Sequence, residues 1–172
     1  TGKLGANLHV TDDLMYYATI SKGYKAGGVN LTLGTPDFKP EKNLVYELGM
    51  KSTMLDRRLR INGNLFYSDY TDIQFSSLFN ALPLTQNAAS GESVGAELEV
   101  TGRFGGWGLN FGLGYLDAGF SKAATIVNTV TNTAQLVPKG ADLPFSPGVT
   151  LNAGIDYVWS FAGGTLTPRL QW

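Results

Sequence analysis

Residues 93–104 read Ser-Val-Gly-Ala-Glu-Leu-Glu-Val-Thr-Gly-Arg-Phe. In an extended chain Val94, Ala96, Leu98, Val100 and Phe104 point one way, and Ser93, Gly95, Glu97, Glu99, Thr101 and Arg103 point the other. Successive strand side chains face opposite sides, so this is a ribbon with one apolar and one charged face. A charged face suits a water-filled lumen and an apolar face suits lipid, which is the arrangement of an outer-membrane β-barrel wall.

The same alternation recurs on both sides of this stretch. Strands are expected over Lys3–Val10, Leu14–Gly23, Lys42–Met54, Arg58–Gln74, Trp107–Gly119, Pro147–Trp159 and Thr165–Trp172, which with Ser93–Phe104 makes eight. Short connections fall at Thr11–Asp13, Leu55–Arg57, Gly105-Gly106 and Phe161–Gly164. Long ones fall at Tyr24–Pro40, Phe75–Glu92 and Phe120–Phe145. Short and long alternate, so one rim carries tight turns and the other large loops, as in bacterial outer-membrane barrels. Aromatic residues gather near strand ends: Phe104, Trp107, Trp159 and Tyr16 toward the turns, Tyr67 and Tyr115 toward the loops. They are placed to form two interfacial girdles.

Composition removes several other classes. The formal charge of −1 gives no basic footprint for a nucleic-acid partner. The absence of cysteine excludes disulfide frameworks and thiolate metal sites. His9 is the only histidine, too few for a ligand set, and no nucleophile elbow or phosphate-cradling loop is present. No catalytic residues, metal site or cofactor are therefore expected. Mean hydropathy is −0.04, and no apolar run approaches the roughly 18 residues of a membrane helix. A soluble antiparallel sandwich would alternate too. Mid-strand charges such as Arg60, Glu97 and Glu99, set against aromatic strand ends, favour the membrane barrel.

Four stretches carry a family resemblance. Residues 13–28, DLMYYATISKGYKAGG, end in a Gly-Tyr-basic-x-Gly-Gly loop entry. Residues 38–51, FKPEKNLVYELGMK, hold Phe-x-Pro-Glu followed by Tyr-Glu-Leu-Gly-x-Lys. Residues 59–74, LRINGNLFYSDYTDIQ, hold Phe-Tyr-x-x-Tyr-x-x-Ile-Gln. Residues 87–100, NAASGESVGAELEV, hold Asn-Ala and Gly-x-Glu-x-Glu. In this order and spacing the chain resembles the barrel of TonB-dependent outer-membrane receptors, with the likeness fading over Phe120–Pro144.

That resemblance implies an all-β, antiparallel transmembrane β-barrel meander, about eight strands of a barrel of about 22. Residues 1–172 would then be a partial barrel, with plug domain and closing strands absent. It implies a receptor in the outer membrane of a Gram-negative bacterium, not an enzyme, taking up a scarce bulky nutrient with TonB-derived energy; a ferric siderophore heads the candidates. The partners implied are outer-membrane lipid and lipopolysaccharide, the TonB complex through an N-terminal region outside this sequence, and an iron chelate or other small molecule. Two other readings fit parts of the sequence. A complete eight-stranded barrel, serving as anchor or small lipid-modifying enzyme, fits the length, but the inward glycines of Trp107–Gly119 would leave its interior underfilled. A passive porin would need a charged constriction loop, and Phe120–Phe145 is poor in charge.

Substrate contacts are expected at the long-loop rim. Tyr24, Lys25, Tyr70, Gln74, Phe75, Phe79, Gln86 and Asn87 offer aromatic faces and amides there, the mix of apolar area and few polar groups found in binding sites. Each also has a plainer reading as girdle, loop packing or solvated rim. Glu47, Lys51, Arg60, Glu97, Glu99 and Arg103 are expected to be lumen charges satisfied by neighbouring strands or by a plug.

Overall fold

The computed structural model describes residues 1–31, 34–79, 82–128 and 133–172. Its strands are β1 (Gly2–Thr11), β2 (Leu14–Lys25), β3 (Glu41–Met54), β4 (Leu59–Phe79), β5 (Leu82–Phe104), β6 (Trp107–Phe120), β7 (Ala124–Asn128), β8 (Thr133–Val137), β9 (Val149–Tyr157), β10 (Trp159–Phe161), β11 (Gly164–Leu166) and β12 (Arg169–Gln171). One antiparallel sheet runs in the order β1-β2-β3-β4-β5-β6-β9-β12, with β7–β8 and β10–β11 as separate hairpins. No helix occurs among the described residues. β1 and β12 are the two edges and do not pair with each other, whereas a closed eight-stranded barrel requires that pairing.

Register settles the faces. Leu8, Tyr16, Met50, Gly63, Leu98, Leu113 and Leu151 form one continuous row across seven strands. The row beside it holds Asn7, Tyr17, Gly49, Asn64, Glu97, Gly114 and Thr150, on the opposite face. The apolar face is bare: Leu4 is 76% exposed, Leu48 57%, Leu65 60% and Tyr115 54%. A sheet with such a face has no place in water, whereas lipid covers it without further structure. Near the turns the Trp107 and Tyr157 rings lie 4.7 Å apart, and toward the loops Tyr46 and Tyr67 lie 6.4 Å apart.

Two connections and two strands depart from the sequence expectation. Phe75–Glu92 is not a loop: β4 and β5 continue as a paired hairpin from Gln74↔Asn87 to Phe79↔Leu82. The register shifts on each side of Ile73, with Asp72 at φ 57°, and these slips break the period that marks a strand. Phe120–Phe145 contains the β7–β8 hairpin. The stretch expected as one strand at Pro147–Trp159 is divided between β9, which ends at Tyr157, and β10, and the Val158 amide between them still donates to the Gly106 carbonyl at 2.8 Å, in register with β6. Thr165–Trp172 is likewise split. Gly164–Leu166 folds back on β10, and Arg169–Gln171 joins the sheet after Pro168, which has no amide hydrogen for a ladder.

The buried apolar side chains among the described residues sit at the long-loop rim: Leu84, Ala118 and Phe120. The Phe75 ring stacks on Phe120 at 5.9 Å. The returning limb of the third loop is tied there by backbone bonds from Phe120 to Ala141 (2.9 Å) and from Leu143 to Ala118 (3.0 Å).

Candidate functional site

On the polar face Glu47, Glu97 and Glu99 are each held by a neutral donor from the next strand. The Tyr17 hydroxyl donates to Glu47 Oε1 at 2.5 Å. Asn64 Nδ2 donates to Glu97 Oε2 at 2.9 Å and Asn62 Nδ2 to Glu99 Oε2 at 3.1 Å. Lys51 Nζ lies 5.7 Å from the centroid of the Tyr17 ring, within cation–π range. A Cβ at Gly49 would run into that ring. Glu47, Gly49 and Lys51 therefore serve one side chain on the neighbouring strand: an acceptor for its hydroxyl, a gap for its ring and a cation over its face.

The ion pairs among the described residues sit nearer the short turns. Arg103 Nη1 meets Asp156 Oδ2 at 2.8 Å, and Arg169 Nη2 approaches Asp156 Oδ1 at 3.8 Å. Arg103 and Asp156 belong to β5 and β9, with β6 between them; the residue in register between the two is Gly108. A Cβ there would lie 2.5 Å from Arg103 Nη1 and 2.7 Å from the Asp156 carboxylate. The bare backbone lets the pair close across an intervening strand.

At the long-loop rim, side-chain amides do the work of strand edges. Asn87 Nδ2 donates to the Lys39 carbonyl (2.9 Å) while its Oδ1 accepts from the Lys39 amide (2.5 Å). Asn30 does the same to Thr85, with Nδ2 donating to the carbonyl and Oδ1 accepting from the amide, both at 2.8 Å. Gln74 Nε2 donates to the carbonyls of Ala26 (2.8 Å) and Lys39 (3.1 Å), and its own amide donates to Glu41 Oε2 (2.9 Å). The loop is closed on itself by the reciprocal Gly28–Phe38 backbone pair at 2.9 and 3.0 Å. A Cβ at Gly28 would come within 2.8 Å of the Phe38 ring. Ala26, Asn30 and Lys39 are thus bonded to the β4–β5 hairpin.

This assigns the expected contact residues to different places. The Gln74 and Asn87 amides are occupied by loop backbone, and the Phe75 ring is stacked on Phe120. Tyr24 is 62% exposed and shares the apolar face with Ile20 and Tyr46. Lys25 stands in register with Glu41, Tyr70 with Asn43 and Gly91, and Gln86 with Phe75. The Phe79 backbone pairs with Leu82, and its side chain lies outside the described set. Tyr17, Asn30, Lys39 and Asp156 were not among the expected site residues. Asp156 carried a signal, a charge on the polar face of an alternating strand; Asn30 carried none, being one polar residue in a Gly-rich loop.

With this geometry in place, comparison with known proteins gives a consistent result. The family model for the TonB-dependent receptor-like β-barrel matches residues 1–172. The pesticin receptor of Yersinia enterocolitica (serotype O:8 / biotype 1B) is 29% identical over 98% of this chain. The chain spans 24% of that relative's length. The ferric yersiniabactin uptake receptor FyuA of Yersinia pestis superposes with a TM-score of 0.76 at 26% identity, covering 98% of this chain and 24% of that one. The ferric preacinetobactin receptor BauA of Acinetobacter baumannii shares the fold, with a TM-score of 0.66 at 22% identity over 96% of this chain and 24% of that one. Matched over its whole length, the chain belongs to the TonB-dependent receptor β-barrel family, whose members are outer-membrane receptors of Gram-negative bacteria and not enzymes.

Proposed function

We propose that residues 1–172 form part of the wall of a receptor that takes up a ferric siderophore, drawing energy through TonB. The observation that carries this is the match over 98% of the chain to a receptor whose structure is described as that of ferric yersiniabactin uptake. In this reading a plug and a TonB-engaging region lie outside this sequence, further strands pair with β1 and β12, and lipid and lipopolysaccharide cover the apolar face.

Substrate is met at the long-loop rim. Lys25, Tyr70 and Gln86, together with Tyr24 and Phe79, supply contacts; Gln74 and Asn87, both bonded to the Lys39 carbonyl, and Phe75, packed on Phe120, fix the shape of that rim. The test is accumulation of iron-55 from ferric yersiniabactin and from ferric preacinetobactin in cells whose only such receptor is the full-length protein. Uptake of at least one chelate, abolished by collapsing the proton-motive force, is the expected result. Uptake of neither, or uptake indifferent to the proton-motive force, overturns the proposal. At equal surface levels, Lys25→Ala with Tyr70→Ala should weaken chelate binding, and Asp12→Ala with Asp56→Ala at the turns should not.

A further inference from the structure

At the long-loop rim β4 and β5 outrun their neighbours in the sheet. β6 ends at Phe120, opposite Gly91, while β4 and β5 stay paired from Ile73↔Ala89 to Phe79↔Leu82. Two strands by themselves are marginal in water, so this extension depends on what covers it. Cross-strand partners share a face and successive residues alternate. Gln74, Ser76, Thr85 and Asn87 therefore lie on one face, and Phe75, Leu84 and Gln86 on the other.

A different long loop covers each face. The first supplies Ala26 and Lys39 to the Gln74 and Asn87 side chains, and its Asn30 holds both backbone groups of Thr85. Asn30 Nδ2 also donates to the Pro36 carbonyl at 2.9 Å, which ties this hold to the loop's own backbone. On the other face the Phe75 ring stacks on Phe120. The Phe120 amide donates to the Ala141 carbonyl and its carbonyl accepts from the Gly140 amide, so the returning limb of the third loop is seated there. The Ile73 and Leu143 side chains converge over Gly91, where a Cβ would lie 2.9 Å from one and 3.3 Å from the other. Leu84 and Phe120, both deeply buried, belong to this seat.

We propose that the β4–β5 extension couples the two loops: it stays ordered only with both covers seated, so releasing one loop frees the other. Asn30 is then a positioning residue, acting through Thr85 on a loop limb across the hairpin. Coupling of this kind is reciprocal. A ligand that favours the seated form of either loop favours it in the other by the same free energy. The device belongs to the fold and holds whatever the receptor takes up.

The experiment is hydrogen exchange, read by mass spectrometry, on the full-length receptor in lipid vesicles without substrate. Asn30→Ala should speed exchange of the Phe120 and Leu143 amides, across the hairpin from it, by about tenfold or more, the loss expected from about one to two net hydrogen bonds. Phe75→Ala, on the opposite face, should speed exchange of the Gly28 and Phe38 amides by a similar factor. The combined variant should add little to either, because the extension is already released. Exchange over Leu44–Met50, deeper in the sheet, should stay unchanged in all three. Unchanged exchange across the hairpin in either single variant overturns the proposal. So do factors that simply multiply in the combined variant, or an acceleration that spreads equally to Leu44–Met50.

Discussion

Leu98 and Glu97 are adjacent residues on opposite faces of β5, and exchanging each for arginine tests the face assignment at one depth. Leu98 lies six positions before Phe104, at the short-turn end of the strand. At about 3.3 Å per residue and a tilt of about 40°, it sits about 15 Å above that rim, near the middle of an apolar band about 25 Å tall. Its row neighbours Gly63 and Leu113 offer no partner for a guanidinium. Leu98→Arg should therefore cost about 2–4 kcal/mol. Glu97→Arg forfeits the 2.9 Å bond from Asn64. A hydrogen bond of that kind is worth about 0.5–1.5 kcal/mol net, and the new charge stays in water. The gap is about 2 kcal/mol, roughly thirtyfold in the folding equilibrium. Urea titration of the full-length receptor refolded into lipid vesicles, followed by tryptophan fluorescence, measures both. Equal costs, or a larger cost from Glu97→Arg, would mean that the strand is slipped by one residue and the faces are reversed.

Three further outcomes are expected. Asn87→Ala removes the bonds to Lys39 and Asp72 and should lower the local stability around Gly28, Phe38 and Lys39 by about 1–3 kcal/mol; hydrogen exchange at the Gly28 and Phe38 amides should speed up accordingly, and unchanged protection would contradict the amide network. Gly108→Ala should displace Arg103 from Asp156, so in a double-mutant cycle with Arg103→Ala the two costs should be non-additive; simple additivity of urea midpoints would refute the cross-strand account. The isolated 172-residue polypeptide presents two bare edges, β1 and β12, and should aggregate in detergent rather than give a protease-resistant, heat-modifiable monomer.

The all-β meander and the identity of each face were legible from period alone, because alternation survives wherever a strand is regular. Legibility ended where regularity did. The Asp72 bulge and the shift at Ile73 put Phe75–Glu92 out of phase, so a hairpin continuing to Leu82 read as a loop. Pro168 divided a stretch whose Leu166 and Leu170 still kept an even spacing. Among site residues, period could place Glu47, Glu97 and Glu99 on one face but could not say what held them. Their partners are a tyrosine and two asparagines in adjacent strands, and register alone brings those together.

The amides pose the sharper case. Gln74 and Asn87, at the mouth of a barrel, have the same chemistry whether they bind a ligand or a peptide group, so residue type cannot choose between the two roles. Geometry adds what residue type does not: the Asn87 amide both donates to and accepts from the Lys39 backbone, whereas the Gln74 side chain is bonded through Nε2 to the Ala26 and Lys39 carbonyls. The same complementarity links the stretches that seemed separate along the chain. Tyr17 fills the gap at Gly49, Phe66 the gap at Gly95 and Phe38 the gap at Gly28. Asn87 closes on Lys39, and Gln74 on Ala26 and Lys39. Each bulky or amide side chain of one stretch meets a glycine or a bare peptide of another. Substituting one member should therefore cost more than its own contact, since it leaves a cavity or an unpaired group on a second strand. The cost should be recovered in part by a compensating change at the partner, such as a smaller residue at Tyr17 when Gly49 gains a side chain.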